Sequence, residues 1–193
     1  MKLVFATNNN NKIKEVQSLI PSHITLLSLA DIECFEDIPE TQPTIEGNAI
    51  QKAEYVKDNY GFDCFADDTG LEVDALNGAP GVYSARFAGP QRDALDNMKK
   101  LLTDLEQSSN RDANFKTVIA LSLQNKMETF TGICEGDITK TQHGTDGFGY
   151  DPIFRPKGLQ QTFAEMPLSQ KNTIGHRGKA VSLLVKYLNS LES

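Results

Sequence analysis

Apolar and polar positions along this chain switch between two rhythms. Residues 2–6 form a short continuous apolar run, the pattern of a strand buried on both faces. In residues 12–20 the apolar side chains Ile13, Val16, Leu19 and Ile20 recur at helical spacing until Pro21 stops them. The chain therefore opens strand, polar loop, helix. Residues 24–29 predict a second strand. After an acidic loop carrying Glu36, Asp37 and Glu40, Thr44 is placed to cap a helix over 45–60 whose face holds Ala49, Ala53 and Val56. Residues 64–68 read as a strand leading into a glycine-rich loop, and 93–105 as a helix. Residues 114–123 and 127–137 predict an antiparallel hairpin turning at Gln124-Asn125-Lys126, and a last helix runs over 179–191.

Helices and strands interleave early, whereas the middle of the chain offers a long hairpin. The expected class is therefore α/β, with a mixed central sheet flanked by helices. No clean linker divides the sequence, so one domain over residues 1–193 is expected, two-lobed with a cleft that would suit the scattered polar loops.

Composition narrows this picture. With 39% hydrophobic and 23% charged residues in 193, the chain is globular and long enough for a sizeable core. A formal net charge of -7 argues against gripping a nucleic-acid backbone, because that affinity comes from clustered Lys and Arg. A small anion stays open if cations are focused locally. Cys34, Cys64 and Cys134 are widely spaced with no Cys-x-x-Cys pair, which favours buried thiols over zinc or redox chemistry. No apolar run approaches a membrane span, and the first is too short for a signal peptide, so a cytoplasmic location is expected.

Four segments carry candidate chemistry. Asp67 and Asp68 end an apolar strand, where adjacent carboxylates suggest a cation. Thr7, Asn8, Asn9, Asn10, Asn11 and Lys12 lie between a strand and a helix N-terminus, a place whose free N–H groups and dipole favour phosphate; a capped asparagine turn is the plainer alternative. The loop is not a Walker A motif, since its glycines and Lys-Ser/Thr ending are absent. Gly147-Phe148-Gly149-Tyr150-Asp151 frames aromatics in flexible backbone, either to stack on a planar base or to pack into a core. Lys171, His176 and Arg177 gather cations just before the last helix, suited to base carbonyls or phosphate oxygens, or singly to surface helix capping. Asn48 and Lys52 lie four apart on the second helix and share a face, and Glu40 precedes them in a loop that reads by itself as solvated.

In this order, the segments Ala6 to Lys12, Ala66-Asp67-Asp68-Thr69-Gly70-Leu71, Gly78 to Arg86, Gly147 to Asp151 and His176-Arg177 resemble the inosine triphosphate pyrophosphatase family over nearly the whole chain. The resemblance implies hydrolysis of noncanonical purine nucleoside triphosphates (ITP, dITP, XTP) to the monophosphate and pyrophosphate, with Mg2+ as cofactor and a homodimer as the assembly. It implies that Thr7 to Lys12 bind the triphosphate and that Glu40 and Asp68 hold the metal, with Asp68 also the general base. Thr69 would contact substrate, Phe148, Gly149, Tyr150 and Asp151 would surround the base, and Lys171, His176 and Arg177 would complete recognition. Arg86 would support the Asp68 loop or the dimer contact. Two departures stand out. Where many relatives read Glu-Thr-Gly-x-Thr-Phe-x-Glu-Asn-Ala, this chain has Gln42, Ile45 and Gly47, and the usual Ser before His-Arg is Gly175.

Overall fold

The computed structural model describes residues 1–191. Its strands are β1 (Lys2–Phe5), β2 (Thr25–Leu27), β3 (Cys64–Val73), β4 (Pro80–Gly81), β5 (Asp112–Leu123), β6 (Lys126–Ile138) and β7 (Phe154–Pro156). The helices are α1 (Asn10–Gln17), α2 (Ile45–Tyr60), α3 (Ala94–Asp104), α4 (Leu168–Ile174) and α5 (His176–Leu191). The strands pair in the order β2-β1-β3-β5-β6-β7, with β4 on β3. Pairing of β1 with β2 and with β3 is parallel, while β3 with β4 and β6 with β7 are antiparallel. The sheet is mixed, as the interleaved opening and the central hairpin require.

The chain divides into two compact units. The first comprises Met1–Asp68, Thr117–Gly132 and Arg177–Ser193, the second Thr69–Lys116 and Ile133–His176. The first unit packs Leu3, Phe5 and Phe65 with Val16 of α1, Ile119 and Leu121 of β5, and Val181, Leu184 and Leu188 of α5. Phe5 and Phe65 stack with ring centroids 4.7 Å apart. The second unit is richer in aromatics: Phe115, Phe154 and Phe163 pack with Leu71, Leu101, Leu105, Ile138 and Ile153.

Several boundaries differ from the sequence reading, among them the first helix, which ends at Gln17 rather than at Ile20, and three of the differences matter for the site. The strand β3 does not stop at Asp68 but continues through Thr69 and Gly70 to Val73. Ladder partners on β4 hold Leu71 and Glu72 extended, which the glycine content of the segment concealed. Lys171 lies on α4, a helix with only seven residues and no side-chain cap to announce it. The last helix begins at His176, so His176 and Arg177 form its first turn rather than a loop ahead of it. The three thiols are free and buried, and burial pushes Cys64 up to about 12.

Candidate active site

In the first unit, the asparagine loop uses its side chains on its own backbone. Asn9 caps α1: its Oδ1 accepts from the N–H groups of Asn11 at 3.0 Å and Lys12 at 3.2 Å, and its own N–H donates to Thr7 Oγ1 at 3.2 Å. The plainer reading of the loop, a capped asparagine turn, describes its geometry, and the cap fixes the N-terminus of α1. Asn8, Asn10 and Asn11 are exposed. Lys12 turns inward, and its Nζ donates to Asp67 Oδ1 at 2.9 Å.

Asp67 is 1% exposed and takes a second cation on its other oxygen, where Arg177 Nε donates to Oδ2 at 3.0 Å. Arg177 Nη1 in turn donates to Glu15 Oε2, on the same helix as Lys12. Burial by itself raises the Asp67 carboxyl, but Lys12, Arg177 and Lys52 together outweigh it and hold the group well below the usual carboxylate range. For Lys12 the balance reverses: burial depresses the ammonium more than Asp67 restores it, and Lys52 and Arg177 add to the fall. Burial also works against the Arg177 charge, yet Asp67 and Glu15 more than offset it.

Asp68 follows in the strand, so its side chain leaves from the opposite face. It is buried, accepts from Asn48 Nδ2 at 3.2 Å and lies 3.9 Å from Lys52 Nζ. Lys52 Nζ also donates to Glu40 Oε1 at 2.5 Å and to the carbonyl of Asp67 at 2.7 Å. Burial raises the Asp68 carboxyl above its ordinary value although Lys52 and Lys12 pull it down, and Glu40 adds to the rise. Two neighbouring carboxylates are therefore separated chemically. Lys12, Arg177 and Lys52 favour the charged form of Asp67, whereas burial works against the charge on Asp68.

Glu40 and Asp68 converge on one ammonium, a place whose electrostatics already suit a cation. Among the described residues no group of three or more His, Cys, Asp or Glu side chains is placed to hold a metal ion. A cation there would draw further oxygens from a ligand and water, which is the habit of Mg2+ with phosphates. The two carboxylates fit such an ion.

The second unit holds the remaining predicted residues. Thr69 is half-buried in β3. Asp151, 2% exposed, accepts from Lys171 Nζ at 2.6 Å and from the Phe148 N–H at 2.8 Å. Lys171 Nζ lies 4.9 Å from the centre of the Phe148 ring and 5.4 Å from that of Phe163, so both rings add cation–π attraction. Gly147 and Gly149 take φ of 75° and 62°, turning the backbone sharply on either side of Phe148. Phe148 is half-buried, but Tyr150 is 4% exposed and its hydroxyl donates to the Ser84 carbonyl at 2.9 Å. Of the two aromatics in this segment, Phe148 is the one with a face to offer a base, and Tyr150 is core. The His176 ring stacks on Phe115 with centroids 4.5 Å apart and planes 18° from parallel.

Lys171, His176 and Arg177 are 5%, 4% and 3% exposed, which removes surface capping as their role. Lys171 joins Asp151 and His176 joins the aromatics, while Arg177 joins Asp67 and Glu15. Arg86 lies over the Tyr83 ring, 5.2 Å from its centre. The sequence reading missed Glu15, which looks like one more acidic residue of a charged helix. Its spacing of three from Lys12 was the available signal, since both then share a face. Lys52 and Asn48 had been read only as a shared face.

Comparison with known proteins places the chain in a family. The sequence model described as the Ham1 family matches residues 3–187. The chain is 66% identical over 190 residues to a dITP/XTP pyrophosphatase of Flavobacterium johnsoniae, covering 98% of this chain and 99% of the relative. It is 48% identical to a dITP/XTP pyrophosphatase of Porphyromonas gingivalis, covering 97% of each. Among solved structures, a HAM1 protein from Coxiella burnetii superposes with a TM-score of 0.91 at 37% identity, covering 98% of this chain and 99% of that one. With the family pattern spanning nearly the whole chain and the fold matching throughout, the chain belongs to the Ham1 family.

Proposed function

We propose that the protein is a magnesium-dependent nucleoside triphosphate pyrophosphatase that converts ITP, dITP and XTP to the monophosphate and pyrophosphate. The observation that carries this reading is the meeting of Glu40 and Asp68 at Lys52, beside the chain in which Lys12 and Arg177 flank Asp67. The dITP/XTP pyrophosphatase names of close relatives support the substrate class.

In this reading Asp68 orients and deprotonates the water that attacks the α-phosphorus. Glu40 and Asp68 would hold Mg2+, which would supply positive charge against the charge that develops on the phosphate. Lys12 and the α1 N-terminus bind the triphosphate, with Lys12 aimed by Asp67. Arg177 fixes Asp67, and through it Lys12. On the second unit, Phe148 stacks on the base and Asp151 holds the Phe148 backbone and Lys171 in place. Donors from Lys171 and His176 favour a six-keto oxygen over the amino group of adenine, because an unpaired buried donor is costly.

We also read the protein as a cytoplasmic homodimer. Tyr83, 58% exposed, with Val82 and Phe87 beside it, supplies an apolar face for the pairing. Among the described residues no helix is long and apolar enough to cross a membrane. The reading is tested by supplying a panel of triphosphates with Mg2+ and identifying the products. Pyrophosphate from dITP and XTP, with little turnover of dATP, is expected. Binding without turnover would leave a nucleotide sensor, and a preference for pyrimidines would overturn the substrate class.

A further inference from the structure

Three consecutive residues of the acidic loop are tied one by one to side chains of α2. Glu40 accepts from Lys52 Nζ at 2.5 Å. The Thr41 N–H donates to Gln51 Oε1 at 2.9 Å, and the Gln42 N–H donates to Asn48 Oδ1, also at 2.9 Å. Asn48 is 1% exposed and uses its amide nitrogen on Asp68 Oδ2 at 3.2 Å. One buried amide therefore accepts from the loop that carries Glu40 and donates to Asp68.

The contact between Gln42 and α2 has a second requirement. A Cβ on Gly47 would stand 2.8 Å from Gln42 Cβ and 2.9 Å from Thr44 Oγ1, closer than such atoms pack. Gly47 is an ordinary third helical residue whose N–H goes to the Thr44 cap at 3.0 Å, and no left-handed backbone demands glycine there. Helix propensity alone would favour almost any other residue. What the missing Cβ provides is room for the Gln42 side chain, met at both Cβ and Cγ, and for the Thr44 cap oxygen.

We propose that Asn48 is a positioning residue for the reaction, setting Glu40 and Asp68 relative to each other, and that Gln42 and Gly47 are a coupled pair that seats the loop on it. This rests on the pyrophosphatase reading above and accounts for the Gln42 and Gly47 departures together.

The test compares Asn48→Ala, Gly47→Ala and the double variant Gln42→Gly/Gly47→Ala with the native chain. Each is assayed for pyrophosphate release from dITP, for binding of Mn2+ without nucleotide by electron paramagnetic resonance, and for amide exchange at residue 42. For Asn48→Ala, kcat and Mn2+ affinity should each fall about tenfold or more, the scale of losing a partner behind a metal ligand, with KM for dITP changed little. Gly47→Ala should show the same losses more weakly with faster exchange at Gln42, and the double variant should recover them. Native Mn2+ affinity and residue 42 exchange in Asn48→Ala would overturn the proposal, as would a Gly47→Ala protein that is more stable and fully active, or a double variant no better than the single. A native enzyme that releases no pyrophosphate would instead defeat the underlying reading, and the Mn2+ and exchange measurements would still judge the coupling.

Discussion

The two units solve opposite problems with buried polar groups. In the first, buried Glu15, Arg177 and Asp67 and half-buried Lys12 form a continuous chain of alternating charge, and Lys52 links the next carboxylates, Glu40 and Asp68. In the second, one ion pair, Lys171 with Asp151, sits among the Phe148 and Phe163 rings, and His176 lies flat on Phe115. The first unit gathers charge that could meet a polyphosphate, whereas the second offers flat apolar faces and a few donors. On the proposed function, the contrast teaches that recognition and chemistry can be altered separately, because the residues assigned to each stand on their own core.

The largest effect should come from breaking the charge chain. Asp67→Asn keeps the shape but leaves Lys12 and Arg177 facing each other across a neutral amide. Removing one partner of a buried ion pair costs about 3–5 kcal/mol, so urea unfolding should show a loss of that size. A loss no larger than that of a surface substitution would show that the network is not a structural unit.

Phe148→Ala should act on recognition instead. Base stacking on an aromatic is worth about 1–3 kcal/mol, so KM for dITP should rise about tenfold while kcat and thermal stability stay close to native. A fall in kcat with KM unchanged would place Phe148 on the chemical side and break the comparison.

How much of this was legible depended on whether a signal was local. Asn9 and Thr44 cap their helices through side chains three or fewer residues away, and the sequence shows such caps directly. The hairpin was readable for the same reason, with Gln124 and Asn125 taking the positive φ of 51° and 62° that its turn demands. The extension of β3 was not, because it depends on pairing with β4 across a turn that spacing does not specify. Nor were the partners of Lys171 and Arg177, since Asp151 lies 20 residues from the one and Asp67 110 residues from the other. The family motifs pointed to most of the candidate residues, but Glu15 and the bridging role of Asn48 needed three-dimensional neighbours.

The smallest effect lies in the first unit but away from its charge chain, and serves as a control. Glu36 accepts from the hydroxyls of Tyr60 at 2.5 Å and Tyr55 at 2.9 Å, and these bonds, Tyr60 first and aided by backbone N–H groups, lower its carboxyl to about 2. A folded value below the unfolded one adds stability above the ordinary value of 4.5 that is lost as pH falls towards 2. Tyr60→Phe should flatten that part of the urea midpoint against pH and leave activity at neutral pH unchanged. An unaltered slope would show that this exposed contact contributes nothing in solution.

The division of labour stands or falls on Asp68, and kcat for pyrophosphate release by Asp68→Asn at saturating dITP and Mg2+ measures it most directly. The amide keeps the shape and the Lys52 neighbourhood but cannot take a proton, so kcat should fall about 10²–10⁴-fold, the usual contribution of a positioned general base. Release at close to the native rate would contradict the assignment of the chemistry to the charged unit.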